Sequence, residues 1–156
     1  MRSVFPLVSL LALAGCSLSE SDPAEVSFVV SLPRTAPTSL AFEAALAGQS
    51  VALSPLPDTG GRTQSTDPIE TAARRTSVAC TVSDGTAATR GAVLLDLEPG
   101  WRYAVQCAVG EANPADACSG CRGSEAFALD PALDLSATDS LFVVWGGDPI
   151  DEPVLY

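Results

Sequence analysis

The sequence predicts an all-β chain folded as an antiparallel β-sandwich with at most short helices. Three observations predict it. Runs rich in β-branched and aromatic residues recur along residues 77–145, with Gly or Pro turns between them. Within several runs apolar and polar residues alternate, the period of a strand with one buried face. No apolar stretch after the first fifteen residues has the length of the helices that a parallel α/β sheet places between its strands.

Residues 1–15 stand apart from that pattern. Met1-Arg2-Ser3 carries one positive charge, and an apolar run from Val4 to Leu13 follows. These are the n-region and h-region of a secretory signal peptide, too short for the about 20 apolar residues of a membrane-spanning helix. The segment ends Leu13-Ala14-Gly15-Cys16, which resembles the lipobox of bacterial lipoproteins: Leu, two small residues, then Cys. The resemblance implies a diacylglycerol on the Cys16 sulfur and cleavage before Cys16. Two or more acyl chains anchor stably, each buried CH₂ contributing about 0.8 kcal/mol. Ser17 comes next, and in that family an Asp at this place often retains the protein in the inner membrane. The resemblance therefore favours the outer membrane, where the cell has one. Residues 16–24 read as the lipidated Cys and a short polar tether, residues 25–147 as the domain, and residues 148–156 as a C-terminal tail.

Within the domain, the run 26–32 (Val-Ser-Phe-Val-Val-Ser-Leu) reads as a strand stopped by Pro33. The run 40–46 suits a strand by alternation and a short helix by its Ala content and the following Gly48. Residues 50–53 are a strand candidate. Pro, Gly, Thr, Ser and Asp crowd residues 55–75. There Asp67-Pro68-Ile69-Glu70 reads as a helix start of one or two turns through Arg74, with an Asp cap and Pro at the first position. Strands are then expected at 77–82, 92–97, 102–109, 125–129 and 141–145.

Composition excludes several function classes. The chain has no His and no Lys, and its net charge is −11. After the signal peptide, seven Arg face nineteen Asp and Glu, a balance of −12. Such a surface repels phosphate, so nucleic acid is a poor partner, and it repels anionic headgroups, so attachment to a membrane falls to the lipid. Without His, no Ser-His-Asp triad or Cys-His pair forms. Without Lys, Schiff-base chemistry and the Ser-Lys variant are lost. No carboxylate pair is singled out by spacing, and no cofactor is implied.

Five Cys remain to be placed: Cys16, Cys80, Cys107, Cys118 and Cys121. A lipid on Cys16 leaves four, and four allow three pairings. Alternation turns Cys80 inward with Val78 and Val82, and Cys107 inward with Tyr103 and Val105, which favours Cys80–Cys107 together with Cys118–Cys121. The first bridge closes a loop of about 27 residues, worth about 3 kcal/mol. Cys118-Ser119-Gly120-Cys121 is a CxxC, which in a strand–CxxC–helix setting would be a redox dithiol. Here it lies in a loop containing Pro and Gly, and a staple is the expected role. A Cys₄ zinc site usually brings two CxxC pairs, and only one is present.

Residues 97–107, with Leu97, Pro99-Gly100, Tyr103 and Val105, resemble the turn between the fifth and sixth strands of fibronectin type III domains. The resemblance implies an immunoglobulin-like sandwich in which Tyr103 bonds back to the backbone and Leu97 fills the core. Two features depart from the immunoglobulin pattern. Cys107 follows Tyr103 by four residues, and the spacing from Cys80 is shorter than that of the usual bridge between sheets. The run 26–33 resembles the opening strand of starch-binding modules, which stack sugars on exposed aromatics; Trp101 and Trp145 are the candidates here, with core packing the alternative.

The function expected is that of a membrane-anchored, non-enzymatic lipoprotein that binds or scaffolds an envelope protein or glycan. A carbohydrate- or peptide-binding module and a thiol-disulfide protein using Cys118 and Cys121 are the alternatives. Asp130, Asp134 and Asp139 are close in sequence but lack calcium-loop spacing and read as turn residues.

Overall fold

The computed structural model describes residues 22–150. The signal peptide, Cys16, most of the tether and residues 151–156 lie outside the described residues. Eleven strands follow in order: β1 Ala24–Ser31, β2 Ala41–Leu46, β3 Gln49–Val51, β4 Ser54–Pro55, β5 Thr63–Ser65, β6 Ile69–Thr71, β7 Arg75–Ser83, β8 Ala88–Asp96, β9 Trp101–Gly110, β10 Cys121–Ala128 and β11 Ser140–Pro149. Among the described residues the helical element is a 3₁₀ turn at Pro114–Ala117.

The strands form two sheets packed face to face. The larger runs β10-β11-β9-β1-β5-β4, with β6 also on β1, and the smaller runs β3-β2-β7-β8. Alternation supplies the core. Val26, Phe28 and Val30 point inward from β1, Val78, Cys80 and Val82 from β7, and Tyr103, Val105 and Cys107 from β9, each at most 3 % exposed. Leu133, from the β10–β11 connection, is also 3 % exposed and closes one end of the core.

Every strand expected from residue 77 onward is present, most of them longer than expected. The ambiguous run 40–46 is strand β2. It turns back through Ala47 (φ 52°) and Gly48 (φ 80°) into β3, with Leu46 opposite Gln49. The expected helix at 67–74 is absent. Ile69–Thr71 is instead β6, antiparallel to β1 with Val26 opposite Ile69 and Ala24 opposite Thr71. A helix of one or two turns does not repay its nucleation. The amide and carbonyl groups at the start of β1 need partners, because β5 reaches only Val29–Ser31.

A second difference is that β1 and β9 pair in parallel, Glu25 opposite Arg102 through Ser31 opposite Ala108. Parallel neighbours need a long connection. The chain provides one by building the whole smaller sheet between them. The last strand also runs past the expected boundary at residue 147, to Pro149. The Ile150 N–H donates to the Gly100 carbonyl at 2.9 Å, and the Gly100 N–H donates to the Pro23 carbonyl at 3.2 Å. Both ends of the described chain therefore meet at the Gly100 turn, at one pole of the sandwich.

Candidate functional site

The four domain cysteines form two bridges of different kinds. Cys80 on β7 and Cys107 on β9 are both fully buried and join the two sheets, with Cα atoms 6.4 Å apart. The sequence spacing had argued against a bridge between sheets. It suffices because β8 is nine residues long with a short turn on either side, so the chain crosses from one sheet to the other quickly. Near the start of the strand that carries Cys107, the Glu98 N–H donates to the Tyr103 hydroxyl at 2.8 Å, and Leu97 is 3 % exposed. Tyr103 is thus tied to the backbone at the Gly100 turn, and Leu97 lies in the core.

Cys118–Cys121 lies on the outside of the larger sheet. The outer face of β11 is unusual for a two-layer sandwich. Val143 pairs with inward-pointing Cys107, so Phe142 and Val144 point outward, yet they are only 7 % and 1 % exposed. The connection 111–120 covers them. Its 3₁₀ turn packs against β10 and β11. Asn113 holds this flap in shape: its side-chain oxygen accepts from the Ala115 N–H at 2.9 Å, and its amide donates to Ser124 Oγ at 3.2 Å. Gly146 permits the close approach, since a Cβ there would stand 2.7 Å from the Gly120 carbonyl oxygen. The CxxC bridge closes the flap where it joins β10. Beside it is a hollow of about 320 Å³, floored by Ala104, Gln106, Val144 and Gly146 and walled by Cys118 and Cys121.

This setting bears on the redox alternative. A reactive CxxC cysteine draws thiolate stability from a helix N-terminus. Cys118 instead caps the C-terminal end of the 3₁₀ turn, and Cys121 begins β10. The staple is what the geometry supports.

The aromatic candidates are half-buried. Trp101 stacks on Tyr103 with ring centroids 6.3 Å apart, and the Arg122 guanidinium lies 4.3 Å from the Trp101 ring centroid. Trp145 packs across Gly123. Asp130 is a turn residue: its carboxylate accepts from the Ala132 N–H at 2.9 Å, and its own N–H donates to Thr89 Oγ1. Among the described residues, Asp130, Asp134 and Asp139 do not come together as a cation site.

The flap and the buried outer patch of Phe142 and Val144 lie beyond what the strand pattern led one to expect. A signal was present: Leu141–Trp145 is apolar without a break, the mark of a strand covered on both faces. No protein-family model, curated protein or solved structure matches the chain.

Proposed function

We propose that the chain is a lipid-anchored extracytoplasmic lipoprotein, non-enzymatic, whose sandwich binds or scaffolds an envelope component. The observation that carries the reading is the bookkeeping of thiols. Cys80 pairs with Cys107 and Cys118 with Cys121, and Cys16 is left over at the last position of the lipobox. Disulfides persist in the oxidising compartments beyond the cytosol. Lipid on the odd thiol leaves none free. The tether enters the domain at the Gly100 pole, so the loops 32–40, 84–87 and 129–139 at the opposite pole face away from the anchor, where a partner is met.

Intact-mass measurement of the protein extracted from membranes tests the anchor. A polypeptide beginning at Cys16 and carrying at least two acyl chains is expected, and Cys16→Ser should release the domain from the membrane. A polypeptide still beginning at Met1, or an unmodified thiol at position 16, would overturn the reading. Affinity capture of the lipidated protein from membranes tests the role, with a stoichiometric envelope protein or glycan expected.

A further inference from the structure

The two outer faces of the sandwich differ. The flap covers part of the larger sheet, while among the described residues no other element packs across the outside of β2, β7 and β8. On that bare face Ala41, Glu43, Ala88, Arg90, Ala92 and Leu94 are exposed. Leu94, at 60 %, is the most exposed large hydrophobic residue among those described. The face is also nearly uncharged, on a chain of net charge −11. Its centre holds one acid and one base, Glu43 and Arg90, in a single row with Thr81 between them: Glu43 opposite Thr81, Thr81 opposite Arg90. Neither makes an ion pair within the described structure.

We propose that this face binds the same face of a second copy, about a two-fold axis parallel to β7. Such an axis exchanges the β2 side of the face with the β8 side at the same height along the strands. Glu43 of one copy then meets Arg90 of the other, twice. Ala45 and Ala92 meet, as do Ala41 and Ala88, because each of these pairs shares a β7 partner, Ala79 or Ser83. Leu94 shares the level of Ser77 and comes over the β2–β3 turn at Ala47, whose N–H bonds the Ser77 carbonyl.

Three further observations fit this occupant. A shallow hollow of about 480 Å³ with Glu43, Thr81 and Asp84 in its wall opens on the β2 side, where the partner's Arg90 arrives. The Asp84 carboxylate accepts N–H bonds from Ala87 and Thr86, which hold its pKa below the ordinary value and keep it negative there. At the rim Arg75 lies on the axis, but Asp96 stands 3.7 Å away in the same copy, so each brings its own counter-ion. β7 and β8 are about 30 Å long, β2 about 20 Å and β3 about 10 Å; at a spacing of about 4.8 Å they give roughly 430 Å² per copy, or about 860 Å² in all, the size of a weak, reversible contact. Elsewhere two acidic copies repel; this neutral face is where they can meet.

The axis has a further consequence, which rests on the anchor reading. Rotation about β7 keeps the Gly100 pole of both copies on one side, so both tethers lead to a single membrane. An in-plane axis perpendicular to the strands would point them apart, and it would not bring Glu43 to Arg90.

The experiment is sedimentation equilibrium of the full chain in non-ionic detergent, repeated on the unlipidated Cys16→Ser chain. A dimer is expected in both. Arg90→Glu should weaken it about tenfold or more, since two attractive pairs become repulsive. Glu43→Arg combined with Arg90→Glu should restore it, and Leu94→Asp should abolish it, all with unchanged circular dichroism. A monomer at about 100 μM, an Arg90→Glu dimer of unchanged strength, or a double variant as weak as the single one would overturn the proposal. So would a dimer lost in Cys16→Ser, which would show that a shared micelle held the copies together. The anchor stands or falls separately on the mass measurement.

Discussion

Ala47 occupies a backbone conformation that an L-residue with a Cβ adopts at a cost. With φ of 52°, followed by Gly48 at 80°, it is the first central residue of a two-residue hairpin turn that needs positive φ at both positions. Gly48 meets the demand and Ala47 does not. Ala47→Asn should stabilise the domain by about 0.5–1 kcal/mol, because Asn tolerates the left-handed region. Urea denaturation should show a higher midpoint at unchanged slope. Other residues were legible one at a time. Cys80, Cys107 and Tyr103 were assigned inward by alternation alone. In each case the residue's role depends on neighbours a few positions away or across one strand.

Elements were legible where one face is buried and the run is long. β7, β8 and β9 alternate over nine or ten residues, and their bounds differ from expectation mostly at the ends. β6 was misread as a helix because capping residues are a local signal and the need of β1 for a partner is not. The flap was missed for the same reason, since its packing surface belongs to β11, more than twenty residues downstream. Gly146→Ala tests the flap. A methyl placed 2.7 Å from the Gly120 carbonyl must lift it, at a cost of about 1–2 kcal/mol. Amide hydrogen exchange should quicken in residues 113–121 and stay unchanged in β7 and β8. Equal protection in the flap would show that the approach of Gly120 to Gly146 holds nothing in place.

At the scale of the whole molecule, one covalent bond ties the two layers. Removing it with Cys80→Ala and Cys107→Ala should cost about 3 kcal/mol, from the entropy of the loop it closes in the unfolded chain. Removing Cys118–Cys121 should cost about 2 kcal/mol by the same relation, and should loosen the flap selectively. Thermal unfolding of the two double variants compares them directly; equal losses would show that loop length is not what sets the two contributions apart. Residue types and near spacing were enough for the strand-rich composition, for the inward residues of the long strands and for excluding His- and Lys-based chemistry, and they favoured one of the three cysteine pairings, which the folded chain then fixed. Only the tertiary structure decided that β1 lies parallel to β9, that the CxxC loop folds over an outer face while the opposite face stays bare, and that both ends of the described chain meet at one pole. Those features come from pairing between segments far apart in the chain, where the gain in burial and hydrogen bonding is shared by residues that no local pattern connects.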